Sequence, residues 1–134
     1  MKATRNCTRL PNGIESFLVD NNAVEKTANY TVVITTDSGK TFVSKLDAIV
    51  FTLPAIAVGN VVTIVNMAED GKAKLSISPN ASDGITYAGS STDNKDLINT
   101  KATAKKGDYV TIQAMNGDVT AWQVVGARGV WAKE

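Results

Sequence analysis

The chain has 134 residues, 43% of them hydrophobic, with a formal net charge of +1, no histidine and a single cysteine. That length suits one domain with its own core and no need of a disulfide or structural metal, and Cys7 has no partner for an internal disulfide, which fits a reducing compartment. The nearly balanced, scattered charge argues against a nonspecific nucleic-acid or acidic-membrane binder, and no apolar run is long enough to span a bilayer as a helix.

Residues 1–28 read as an N-terminal arm, and 29–134 as a single β domain. The arm mixes Lys2, Arg5 and Arg9 with Leu10, Ile14, Phe17, Leu18 and Val19, around the turn signal "LPNG". It lacks strand alternation and buries too little apolar surface alone to offset its ordering entropy. The expectation is an arm that is mobile in the free protein and ordered on a partner. Its apolar anchors would dock as an added strand or in a groove, while its basic residues meet acidic groups. No apolar run follows the first basic residues, so the reading includes no secretory signal. The sequons at Asn6, Asn29 and Asn80 are then chance matches.

From Tyr30 onward, short β-branched runs broken by turn residues predict an all-β fold. The predicted strands are "YTVVITT", "KTFVSK", "AIVFTL", "VVTIVNM", "KLSIS", "YVTIQAM", "TAWQVV" and a short "GVWA". Asp37-Ser38-Gly39, Asp70-Gly71 and Asn116-Gly117 supply turn residues that tolerate positive φ and predict hairpins with antiparallel neighbours. Pro54 and Pro79 fall at strand ends, where a missing amide donor costs little. The polar stretch 82–108 reads as a long surface loop, with "DLINTKATAKKGD" non-helical. The expected architecture is a small antiparallel β-barrel or two-sheet sandwich with an extended N-terminal arm.

One phrase occurs twice. "VGNVVTIVNM" and "KGDYVTIQAM" share Gly, Asn or Asp, Val-Thr-Ile and Met at matching positions. The pattern predicts a repeated unit, a Gly turn leading into a strand and then a hairpin, although Val-Thr-Ile is also common strand vocabulary. Alternation puts Val110, Ile112 and Ala114 on the core face and Tyr109, Thr111 and Gln113 on the other. In the first copy Val62 and Ile64 face the core, while Val61, Thr63, Val65 and Met67 leave the opposite face more apolar. That second face is expected to be covered in an oligomer.

Few residue patterns in the chain point to catalytic chemistry. The absence of histidine removes the commonest general base and rules out triads built on Ser-His or Cys-His. "SGKT" at 38–41 lacks the leading Gly of a phosphate loop, with Ile34 at that position. "DNKD" at 93–96 with Asp83 lacks the ligand ladder and closing Glu of a calcium loop. Glu69 and Asp70 are adjacent on a turn and cannot flank a glycoside. Trp122, Trp131 and Tyr87 have rings suited to stacking on sugars, but core is the better reading for Trp122. No cofactor, metal or catalytic residue is assigned.

The segments "FTLPAIAVGNVVTIVNMAEDGKAKLSISPNASDGI", "DLINTKATAKKGDYVTIQ" and the closing "GVWA" resemble small bacteriophage virion proteins, especially trimeric head decoration or cement proteins. The resemblance runs from about Asp37 to the C-terminus and rests on structural vocabulary, with no catalytic signature. It implies a homotrimer on threefold and quasi-threefold axes of an expanded capsid, clamping the major capsid protein, with the N-terminal segment reaching to the shell. Lys2, Arg5, Arg9, Leu10, Ile14, Phe17, Leu18 and Val19 would then be the capsid contacts, and Val61, Thr63, Val65 and Met67 the trimer interface. It also implies a place on the virion surface, reached from the host cytoplasm during assembly, with no nucleic-acid or membrane partner. Similar β-modules occur in tail fibres and spikes, so a module binding host glycans is the alternative.

Overall fold

Strands that bury every second side chain need a second layer to cover them, and here two β-sheets pack face to face. The computed structural model describes residues 23–90, 93–115 and 122–134, and the backbone of Thr8–Arg9 and Glu15–Ser16. In chain order the elements are β1 (Thr8–Arg9), β2 (Glu15–Ser16), β3 (Ala23–Glu25), β4 (Tyr30–Thr31), α1 (Ile34–Asp37), β5 (Thr41–Ser44) and β6 (Ile49–Thr52). They continue with β7 (Val61–Asn66), β8 (Leu75–Ser78), β9 (Ile85–Thr86), β10 (Leu97–Asn99), β11 (Asp108–Ala114), β12 (Trp122–Arg128) and β13 (Ala132–Lys133). One sheet is six-stranded in the order β3-β5-β7-β11-β12-β9, the other five-stranded in the order β13-β10-β8-β6-β4. β1 and β2 pair antiparallel with each other. The fold is an all-β sandwich.

The connections differ from the expected hairpins. After β3, β5 and β7 the chain crosses to the opposite sheet, as β4, β6 and β8, before it returns. A chain that changes sheet after every strand re-enters each sheet in the same direction. β3, β5 and β7 are therefore parallel neighbours, as are β4, β6 and β8. Antiparallel pairing begins where β11 joins β7 and β12, and where β10 joins β8 and β13. Asp70-Gly71 lies in a cross-sheet turn and Asp37-Ser38-Gly39 links α1 to β5, so neither closes a hairpin. Gly71 (φ 71°) and Gly39 (φ 86°) do use the positive φ that the turn signals implied. Asn116-Gly117 falls outside the described residues.

Among the described residues, the links at 26–29, 45–48, 67–74, 100–107 and 129–131 all turn between the sheets at the same end of the sandwich. Each arch is tied to the next. The Val50 amide donates to Asn29 Oδ1 at 2.9 Å, the Lys74 amide to Asp47 Oδ1 at 2.8 Å, and the Lys106 amide to Asp70 Oδ1 at 2.9 Å. Asn99 Nδ2 reaches Val130 O at 3.0 Å.

Three local readings change. "YTVVITT" is a strand only at Tyr30–Thr31, and Ile34–Asp37 forms one helical turn. The Asp37 carboxylate accepts the Val33 amide at 2.8 Å and the Tyr30 hydroxyl at 2.7 Å, which holds that turn against the β preference of its residues. Ala23–Glu25, assigned to the arm, is the edge strand of the six-stranded sheet, paired with Thr41–Val43. The polar stretch after residue 82 contains β9 and β10, and Leu97 and Asn99 are wholly buried. Residues 100–107 are turns rather than helix.

The two copies of the repeated phrase lie side by side. Val62-Thr63-Ile64 of β7 runs antiparallel to Val110-Thr111-Ile112 of β11, with Thr63 opposite Thr111 and their hydroxyls sharing a hydrogen bond at 2.9 Å. A local twofold through that pair exchanges Gly59 (φ 92°) with Gly107 (φ 91°). It also exchanges two bonds: the Gly59 amide donates to Ala114 O at 2.8 Å, and the Gly107 amide to Asn66 O at 2.7 Å. Each glycine thus closes the end of the other copy's strand. Val62, Ile64, Val110, Ile112 and Ala114 all face the core, as their alternation predicts. Trp122 and Trp131 are core residues as well, and the Tyr30, Phe42 and Phe51 rings stack through it with centroids 5.1 and 5.9 Å apart.

Candidate interaction surface

The outward residues of the six-stranded sheet form rows across its strands that are uncharged at the centre. Register aligns Val43, Val65 and Tyr109 in one row, which ends on Glu25 at one side and Arg128 at the other, and Thr41, Thr63 and Thr111 in the next. Val61, Gln113 and Gln123 make a third. Most of these side chains are half-buried by their own neighbours, and Tyr109 is exposed. The charged residues on these strands stand at the arch end, where Glu25 pairs with Lys45 at 3.5 Å and Arg128 lies opposite Tyr109. Val61, Thr63 and Val65, the residues assigned to a trimer interface, lie in the middle of this face. Met67 follows the strand, half-buried, with its amide donating to Ser44 O at 2.9 Å.

Of the residues assigned to capsid contact, Lys2, Arg5, Leu10, Ile14, Phe17, Leu18 and Val19 lie outside the described residues. Arg9 is placed by its backbone in β1.

The buried polar groups are committed to structure. Asn66 Nδ2 donates to Asn99 Oδ1 at 2.7 Å and to Ala73 O at 3.1 Å, bridging the sheets. Asn99 Nδ2 donates to Asp108 Oδ2 at 3.1 Å, which also accepts the Lys105 amide at 2.9 Å. The Asp108 carboxylate occupies the space a Cβ on Gly129 would need, and Gly129 has φ 97°. Sequence reasoning missed this cluster because Asn66 reads as part of a predicted strand while Asn99 and Asp108 sit in a stretch that reads as a polar loop. Among the described residues, Trp122 Nε1 is the only buried side-chain polar atom without a partner.

Asp37, 3% exposed, is the other buried carboxylate. Burial alone would raise its pKa, but the Tyr30 hydroxyl, the Val33 amide and Lys40 outweigh that and hold it below the ordinary aspartate value. The same hydrogen bond, with burial and the nearby negative charge, pushes Tyr30 up from 10.0 to about 12. Between pH 10 and 12 the folded chain therefore binds more protons than the unfolded one, so stability falls as pH rises through that window. Asp37 acts at the acid end: its contribution is present above the unfolded carboxylate pKa and is lost as pH falls through the lowered folded one. Tyr30→Phe is expected to flatten the alkaline loss in urea melts recorded from pH 9 to 12, an effect of at most about 2.7 kcal/mol. An unchanged alkaline slope would contradict the Tyr30–Asp37 pairing.

The acidic stretch behaves as local scaffolding where it is described. Asp83 Oδ2 accepts the Ile56 amide at 3.1 Å, and Asp83 O accepts the Asn94 amide at 2.8 Å. Glu69 and Asp70 sit on an arch turn beside Lys106 and Lys105, at 3.1 and 3.5 Å. Among the described residues, no helix is long and apolar enough to cross a membrane. No protein-family model matches the sequence, and no curated protein matches it.

Proposed function

We propose that this chain is a structural virion protein that binds the outer surface of an expanded bacteriophage capsid as a homotrimer and stabilises the shell. The observation that supports this most is the outer face of the six-stranded sheet, uncharged at its centre on Val61, Thr63 and Val65, with Glu25 and Arg128 at its arch-end margin. Flat β-surface of this composition suits a protein contact, since it can be desolvated without stranding a charge. The resemblance noted in the sequence supplies the number of subunits and the major capsid protein as partner. The role is structural rather than catalytic and calls on no cofactor, nucleic acid or membrane. The site of action is the capsid surface, reached from the host cytoplasm during assembly.

A glycan-binding tail module is the weaker reading, because Trp122 and Trp131 are 0% and 5% exposed and form no sugar platform. Light scattering on the purified protein at micromolar concentration tests the proposal. The expected mass is three times the 14.2 kDa chain, and a monodisperse monomer would contradict it.

A further inference from the structure

The arch turns stack along one end of the sandwich at the ~4.8 Å spacing of neighbouring strands, making a continuous ridge. Its carboxylates are used within the ridge. Asp47 accepts Lys101 Nζ at 2.6 Å as well as the Lys74 amide, and Asp70 accepts the Lys106 amide. Glu69 pairs with Lys106 and Glu25 with Lys45. Lys72, Lys74 and Arg128 are exposed there, and among the described residues their side chains have no carboxylate partner. Leu46 and Val130, 46% and 53% exposed, stand on the same ridge as apolar tips. This end therefore presents free cations beside apolar side chains, the arrangement of a protein-docking surface with anchors and a charged rim.

A nucleic acid fits it poorly. Duplex phosphates recur about every 1.7 Å along the axis, and Glu25, Asp47, Glu69 and Asp70, interspersed among the ridge's lysines, would repel them. Leu46 and Val130 would gain nothing against a phosphate backbone.

We propose that the arch ridge docks on an acidic, partly apolar patch of a protein partner. Identifying that partner with the capsid shell rests on the decoration reading; the sandwich would then stand on the shell with its strands pointing outward.

The test measures affinity for poly-L-glutamate at low ionic strength, with duplex DNA of matched length as the competing class. Replacing Lys72→Gln together with Lys74→Gln is expected to weaken poly-L-glutamate binding roughly tenfold. The same change in net charge placed at the opposite end, Ala55→Glu with Val58→Glu, is expected to alter it less than about threefold. Circular dichroism confirms that both variants fold. Equal weakening by both variants, no binding by the wild-type chain, or tighter binding to DNA than to poly-L-glutamate would each overturn the proposal. Because no capsid enters the measurement, such a failure leaves the decoration reading standing. A ridge that binds poly-L-glutamate on a chain absent from phage heads would fail the decoration reading alone.

Discussion

Gly129→Ala is expected to destabilise the protein by about 3 kcal/mol or more, lowering the melting temperature by roughly 10 °C. Two costs combine. Gly129 has φ 97°, where an L side chain is strained by about 1–3 kcal/mol. The added methyl would also overlap the Asp108 carboxylate, which is 1% exposed and cannot move outward without leaving the Asn99 amide and the Lys105 amide unpaired. The buried Asn99 donor, so stranded, costs about 1–3 kcal/mol, and the part-buried Lys105 amide less. Gly126→Ala is the control, since a Cβ there meets nothing within 4 Å; its effect should stay under about 1 kcal/mol. Equal melting temperatures for Gly129→Ala and the wild type would show that Asp108 is not held where the structure places it.

Val65→Lys is expected to convert the proposed trimer to monomers while leaving the subunit folded. Val65 lies opposite Tyr109 and Val43 on the outer face, away from the core that Ile64 enters. A lysine can therefore be accommodated in an isolated subunit with its ammonium in water. In a packed interface the same ammonium would be desolvated without a partner, a penalty of several kcal/mol per subunit, or at least about a hundredfold in dissociation constant. Thr52→Lys, on the outer face of the other sheet, should leave the oligomer intact. Sedimentation velocity on both variants decides the matter. A Val65→Lys protein that still sediments as a trimer would mean the subunits meet elsewhere.

The strands were legible where alternation was strong. In 61–66 and 108–114 every second residue is buried, and the core and outer faces are those the side-chain pattern implies. The order of the strands was not legible, because Asp70-Gly71 and Asp37-Ser38-Gly39 supply the same backbone freedom to a hairpin and to a cross-sheet arch. Only the distant partner strand distinguishes them. The helical turn at 34–37 was missed because Ile-Thr-Thr favours strand locally, and its support comes from Asp37 reaching Tyr30, seven residues back. The repeated phrase was visible as a repeat, but its pairing about Thr63 and Thr111 is a long-range contact that no window of sequence contains. On the candidate interface, Val61, Thr63 and Val65 were visible as a second apolar face. Their uncharged neighbours Thr41, Val43 and Gln123 became part of it only through strand register.

The proposed role is tested most directly by electron microscopy of virions from phage encoding this chain, labelled through a C-terminal tag. Label distributed over the head, at the threefold and quasi-threefold positions of the expanded shell and absent from the tail, is the expected result. Label confined to tail fibres or spikes, or virions carrying none, would contradict it.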